Sequence, residues 1–151
     1  MNNVEIFLAH AVQLERDAAR RYEELSESMA TEGNRELKDF FDRMAGFSRK
    51  HLAQANARAG FRDVPPLAPS EYQWPDGTAP ETAGWAGVDA LMGAFEALQL
   101  ALISERRGHA YYATIAATSG DPEVRLLAGQ FAEEEAAHVL ELEKRIANCA
   151  A

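Results

Sequence analysis

Residues 131–142 read FAEEEAAHVLEL. Within this stretch Glu135 and His138 stand three positions apart, a spacing at which side chains on adjacent helical turns leave nearly the same face. Phe131 and Leu142 continue that face, so a carboxylate and an imidazole share a stripe with core residues. Glu105 lies fifteen positions before Gly120, while Glu135 and His138 lie fifteen and eighteen after it. The same distances recur around Gly33, with Glu15 eighteen before and Ser48 and His51 fifteen and eighteen after. If each glycine marks the turn of an antiparallel helical hairpin, a rise of ~1.5 Å per residue sets all these groups roughly 22 to 27 Å from a turn. Two such hairpins packed face to face gather Glu15, His51, Glu105, Glu135 and His138 into one cluster. Three glutamates on core stripes cost several kcal/mol each in desolvation unless they are paired or hold a metal ion.

Four 3-4 stripes carry these residues. The first runs Val4, Leu8, Ala11, Glu15, Ala18, Tyr22, Leu25, Met29, and the second Leu37, Phe41, Met44, Ser48, His51, Ala55. The third runs Leu91, Phe95, Leu98, Leu102, Glu105, His109, Tyr112, Ala116, and the fourth Val124, Ala128, Phe131, Glu135, His138, Leu142, Ile146. Gly33-Asn34 and Gly120-Asp121-Pro122 each pair a helix-ending glycine with an N-cap residue, and Pro122 suits a first helical position. Between the hairpins, residues 61–87 carry Pro65, Pro66, Pro69, Pro75 and Pro80 among Tyr72, Trp74 and Trp85. A connection of that length fits a crossover from one end of a bundle to the other, with its aromatics pinned to the flank. The expected fold is all-α: a four-helix bundle of two antiparallel hairpins, forming one domain over residues 1–151.

The two halves read as copies. An offset of 90 maps Glu15-Arg16 onto Glu105-Arg106 and Tyr22 onto Tyr112; an offset of 87 maps Gly33-Asn34 onto Gly120-Asp121 and His51 onto His138. Ser48 stands where the second half has Glu135.

Composition narrows the functional classes. With 47% hydrophobic residues the chain has apolar material for one core. The single cysteine, Cys149, permits neither an internal disulfide nor a Cys-x-x-Cys redox centre, which suits a reducing cytoplasm. There is no basic leader and no apolar run of membrane-spanning length, so a cytoplasmic, non-membrane protein is expected. A net charge of −9 argues against nucleic acid as a partner. His10 falls off the first stripe and reads as a surface residue, as do Arg16, Arg20, Arg21, Arg49 and Lys50. Met29, Met44 and Met92 read as core filling. Phe40 and Phe47 read as partly exposed in a monomer, which points to a homodimer.

Taken together, Glu15, Glu105, His51 and the Glu135–His138 pair resemble the rubrerythrin branch of the ferritin-like di-iron carboxylate proteins. In that class two helices each give a glutamate and two each give a Glu-x-x-His pair. The resemblance spans roughly residues 3–60 and 88–148 and includes the long crossover, without a rubredoxin-like module. It implies a ferritin-like bundle holding one or two iron ions, with manganese or zinc as other ions of suitable chemistry. It further implies Glu135 as the bridging ligand, Glu15 and Glu105 as more terminal ligands, and a homodimer. Ser48 replaces the second bridging carboxylate. That change predicts one firm and one weak ion, with Glu135 and His138 among the firm ligands. Tyr22 and Tyr112 read as core residues with satisfied hydroxyls rather than redox-active groups, a hydrogen bond to a ligand glutamate being a further role open to them, and His109, one turn from Glu105, is a further nitrogen near the cluster. The activity implied is an oxidoreductase that reduces peroxide or dioxygen with electrons from a separate donor protein. The alternative is a non-enzymatic iron-binding or storage-related protein, or a bundle whose metal site is vestigial.

Overall fold

The computed structural model describes residues 1–59, 67, 71, 72, 74 and 93–150, and among these there are four helices and no strand. They are α1 (Val4–Glu32), α2 (Arg35–Ala59), α3 (Ala94–Thr118) and α4 (Pro122–Ala150). α1 packs against α2 and α3 against α4 as two hairpins, and α1 touches both helices of the second hairpin. The result is the expected all-α four-helix bundle.

Local chemistry sets the helix ends. The Asn3 side chain accepts the Ile6 N–H at 3.0 Å and so caps α1. At the other end Gly33 takes φ 84°, with its N–H on the Ala30 carbonyl and the Asn34 N–H on the Met29 carbonyl. This pair of bonds closes the helix through a left-handed residue, a conformation that glycine adopts without a Cβ penalty. Asn34 then turns its side chain onto the Leu37 N–H at 3.1 Å, so one residue ends the first turn and starts α2. Asp121 does the same for α4, accepting from Glu123 and Val124 with Pro122 as first helical residue.

Gly120 departs from expectation. The α3 helix stops at Thr118 with Ser119 in extended backbone, and Gly33 is the only described glycine with positive φ. What Gly120 provides is proximity: its N–H donates to Asn2 Oδ1 at 2.6 Å, and a Cβ there would lie 3.4 Å from the same oxygen. The start of α1 is thereby tied to the α3–α4 turn, which leaves the Gly33 turn at the opposite end.

Two apolar clusters fill the bundle. Phe7, Leu8, Leu14, Tyr112, Leu127 and Phe131 belong to one, and Tyr22, Leu25, Met29, Phe41, Met44 and Leu98 to the other. In the helix sequences the polar residues Glu15, Ser48, His51, Glu105, Glu135 and His138 fall between them. Met29 and Met44 are core residues as expected, while Met92 lies outside the described residues.

Two surface assignments are corrected. His10 is fully buried: its Nδ1–H donates to the Ile6 carbonyl at 2.8 Å, and the rings of Tyr72 and Trp74 stand edge-on at 5.0 and 4.8 Å. Burial holds its pKa below the ordinary 6.5, the carbonyl contact offsetting only part of that. Phe40 is also buried, with the Arg145 guanidinium 4.1 Å above its ring, so of the expected exposed pair only Phe47 is open to solvent. Tyr72 and Trp74 stack on each other, and Trp74 continues onto Tyr111 at 5.3 Å, which pins this part of the connection to α1 and α3. Apart from Leu67 and Glu71, the rest of the 61–87 crossover, Trp85 included, lies outside the described residues.

Candidate metal centre

Each helix contributes to one polar cluster between the two apolar ones. Glu15, Glu105 and Glu135 are 1%, 2% and 3% exposed, and His51 and Ser48 are buried as well. The side chains fall into two groups, Glu15–His51–Glu135 and Glu105–Glu135–His138, with the candidate ligand atoms of each group within 4.8 Å of one another. Glu135 belongs to both. All five residues singled out in the sequence are therefore brought together, and the one expected to bridge stands at the junction.

The internal duplication is visible as a reciprocal exchange. Tyr22 on α1 donates its hydroxyl to Glu105 Oε1 on α3, and Tyr112 on α3 donates to Glu15 Oε1 on α1 over a longer 3.4 Å. Each tyrosine thus holds the other half's glutamate, and the His51 and His138 rings lie 5.9 Å apart and nearly parallel. His109 instead turns its Nδ1 to the Ala132 carbonyl at 2.9 Å, which cross-links α3 to α4 beside the cluster.

Charge in this site is unevenly compensated. Burial drives the Glu15 carboxyl above its ordinary range, and the nearby Glu105 charge adds to this against the opposing pull of His51. Burial pushes Glu105 the same way, but Glu135, His138 and Tyr22 outweigh it and leave that carboxyl below its ordinary range. For His51 burial opposes the charged form, while Glu15, Glu134 and Glu105 overcome it and raise the pKa.

The residues present fit a divalent ion. Glu105 Oε2 and His138 Nδ1 are buried, have no hydrogen-bond partner among the described residues, and face each other across 3.5 Å. Two ligand atoms each ~2.1 Å from a tetrahedral ion are about 3.4 Å apart. A carboxylate oxygen and an imidazole nitrogen that both lack a proton partner at that separation are set for a cation of the iron, manganese or zinc type.

Comparison with known proteins agrees with this geometry. The family model described as Rubrerythrin matches residues 7–72, which carry Glu15, Ser48 and His51. A crystal structure of an uncharacterised conserved protein from Magnetospirillum magnetotacticum MS-1 is 38% identical to the chain. It covers 97% of this chain and 95% of its own, with a TM-score of 0.81. The chain belongs to the rubrerythrin family. No curated protein matches it. Within this rubrerythrin-family bundle no described helix is long and apolar enough to cross a membrane.

One polar partner was not legible from the stripes. Glu134, 40% exposed in its side chain, reaches from α4 to place Oε2 2.6 Å from His51 Nε2. Position 134 lies one residue off the Glu135 face, so helical spacing assigns it to solvent. The signal available was its length, since a glutamate at the edge of a stripe can swing onto a neighbouring helix. Tyr111 lies on none of the four stripes; among the described residues its buried hydroxyl has no hydrogen-bond partner, and burial raises its pKa well above the ordinary value.

Proposed function

We propose that this chain is a non-haem iron carboxylate protein that reduces peroxide or dioxygen with electrons from a separate donor protein. The supporting observation is the position of Glu135, one buried carboxylate common to two ligand groups that each add a glutamate and a histidine. Glu15, His51 and Glu135 would hold one ion, and Glu105, Glu135 and His138 the other. Iron held there supplies the redox electrons and Lewis acidity that O–O cleavage needs.

The protein's own groups prepare that chemistry. Tyr22 and Tyr112 engage one oxygen of Glu105 and of Glu15, which fixes the carboxylate rotamers before any ion arrives. The apolar clusters on either side keep bulk water from the site, so charge interactions inside it are strong. Ser48 presents a short hydroxyl where a fourth carboxylate would otherwise stand. Three glutamates leave one positive charge on two divalent ions and one negative charge on a single ion.

Ser48 also favours a second reading, in which one ion is held firmly and the protein binds iron without turnover. Metal analysis with anomalous scattering on iron-loaded protein, followed by single-turnover oxidation by hydrogen peroxide, separates the two. Rapid oxidation and re-reduction by an added donor supports the oxidoreductase. Bound iron with no peroxide response leaves the iron-binding protein, and no iron at Glu135 and His138 overturns both.

A further inference from the structure

Four aromatic rings run without a break from the solvent side of the crossover to a ligand glutamate. Tyr72 and Trp74, both half-buried, stack at 5.4 Å with their planes 2° apart. Trp74 meets Tyr111 at 5.3 Å, Tyr111 meets Tyr112 at 5.5 Å, and the Tyr112 hydroxyl donates to Glu15 Oε1 at 3.4 Å. Each of these centroid separations is a direct ring contact. His10 stands edge-on to both outer rings, at 5.0 Å from Tyr72 and 4.8 Å from Trp74, and so holds the pair against α1.

The other half is built differently. Tyr22 takes the place of Tyr112 and holds Glu105, but the offset of 90 puts Arg21 where the second half has Tyr111. From Tyr22 the ring contacts pass to Phe41 at 6.1 Å and from Phe41 to Phe40 at 5.3 Å, where the guanidinium groups of Arg43 and Arg145 lie over the ring. The difference is chemical. Indole and phenol carry a heteroatom lone pair that raises their highest filled orbital, so either gives up an electron far more readily than a phenyl ring. A cation over the phenyl ring makes electron loss harder still. Among the described residues, the run from Tyr112 ends on oxidisable groups and the run from Tyr22 does not.

The inner tyrosines are suited to pass an electron rather than to stay oxidised. Among the described residues the buried Tyr111 hydroxyl has no hydrogen-bond partner, so nothing there takes the proton that an oxidised phenol releases. Tyr112 keeps its proton in the bond to Glu15. The half-buried outer pair is where solvent is at hand.

Resting on the oxidoreductase function above, we propose that this run is the route by which the centre draws electrons from the surface. Trp74 supplies them, and the donor protein restores them at the Tyr72–Trp74 pair. Each electron taken from Trp74 leaves an indole radical cation, which one electron from the donor returns to indole. Without the donor Trp74 is consumed. It loses two electrons, takes the oxygen atom of one water and releases two protons, while two electrons and two protons convert one hydrogen peroxide to two waters. The net reaction adds one oxygen atom to Trp74 and yields one water for each peroxide.

The test uses the full chain loaded with Fe(II), or with Zn(II) as control, and mixed with hydrogen peroxide in the absence of a donor. Freeze-quenched samples are read by EPR, with and without ring-deuterated tryptophan, and the products by peptide mass spectrometry. Iron-loaded wild type is expected to show a radical whose hyperfine pattern changes with the deuterated indole, and to gain an oxygen atom at Trp74; the zinc-loaded protein should show neither. Trp74→Phe lies outside the ligand cluster, so it should lose the indole signal and keep its iron content. Tyr111→Leu keeps Trp74 but interrupts the rings, and should bring oxygen uptake at Trp74 down to the zinc background. The Trp74→Phe readout stands by itself if Tyr111→Leu is too unstable to load.

Hydroxyl radical released into solvent would attack Trp74 whether or not Tyr111 is present, so unchanged uptake in Tyr111→Leu would overturn the proposal. Peroxide oxidation of iron-loaded wild type without an indole radical would do the same, as would an indole signal that survives Trp74→Phe. Each of these leaves the metal centre intact. If the protein retains no iron, or its iron does not respond to peroxide, the oxidoreductase function falls together with this proposal.

Discussion

Glu135→Gln is expected to stabilise the metal-free protein while weakening its response to metal. Glutamine keeps the volume and one acceptor oxygen but removes the charge shared by both ligand groups. In each group the ligand atoms lie within 4.8 Å, so an ionised Glu135 faces Glu15 on one side and Glu105 on the other. Two unit charges at that separation repel by about 3 to 4 kcal/mol at an effective dielectric near 20. Part of that cost is already relieved by the histidines, the tyrosine hydroxyls, a proton on Glu15, whose pKa is raised, and the Glu135–Glu105 hydrogen bond that helps hold Glu105 below its ordinary range. A net gain of about 1 to 3 kcal/mol remains for the variant in chelator. For a chain of this length each kcal/mol moves Tm by about 2 to 4 °C, so Tm should rise by several degrees. With metal the order reverses, because an ion at a hundred times its Kd stabilises the wild type by about 2.7 kcal/mol and the variant by much less. Thermal melts of both proteins, with EDTA and with Zn(II), test both halves. A variant that is less stable in EDTA and keeps the full metal response would refute the placement of Glu135 between two other buried carboxylates.

Four further outcomes are expected. Ser48→Glu places a carboxylate one turn from His51, so it should lower metal-free stability by about 1 to 3 kcal/mol and raise occupancy of the second ion, read by metal analysis; unchanged occupancy would mean that residue 48 does not reach the cluster. His10 has a folded pKa below 6.5, so the unfolded chain binds its proton first and stability falls as pH drops from 6.5 toward the folded value, by up to about 1.4 kcal/mol per pH unit. His10→Phe should flatten that segment of a Tm-against-pH curve. Gly33→Ala should cost about 1 kcal/mol through its φ of 84° alone, since no atom lies within 4 Å of the added Cβ, and Gly33→Asn should cost less. We further propose that the chain is a homodimer, with exposed Phe47, Phe95, Ile103, Leu126 and Leu140 as the apolar surface available to an interface; a monomer by light scattering at micromolar concentration would exclude it.

The fold was legible because hydrophobic spacing and turn chemistry agreed along α1, α2 and α4, where the stripe residues are buried or half-buried. Agreement is weaker in α3. Its first stripe residue, Leu91, lies outside the described residues, and the second, Phe95, is 45% exposed. Glycine at a turn was read as a left-handed cap in both hairpins. Only Gly33 is one, because at Gly120 the space that matters is taken by Asn2, forty-odd ångströms of helix away from the Gly33 turn. His10 shows what a single-stripe reading omits. Phe7, His10 and Leu14 form a second buried line on α1, visible in the spacing, but what covers His10 is Tyr72 and Trp74 from a connection without periodicity. Phe40 joins the core cluster beside Phe41, with the guanidinium groups of Arg43 and Arg145, residues that composition counts as surface, over its ring.

The cluster was legible for a different reason: distances of about half a helix from two turns at opposite ends became equal heights near the middle of the bundle, and equal heights became contact. That logic locates Cα atoms and stops there. The surroundings of the outer nitrogen of His51 include a side chain, Glu134, that leaves its own helix face and approaches the next, and the backbone stripe carries no trace of it. The duplication supplies the missing constraint. Where the halves match, as at Tyr22 and Tyr112, the structure shows a reciprocal pair, and symmetry alone accounts for it. Where they differ, two neighbouring positions differ together: Phe47-Ser48 in one half against Glu134-Glu135 in the other. A glutamate restored at 48 alone would add a carboxylate beside a histidine that already has the Glu134 charge 2.6 Å from its outer nitrogen. Ser48→Glu combined with Glu134→Gln should therefore bind the second ion more weakly than Ser48→Glu alone, and equal binding would show that the two positions act independently.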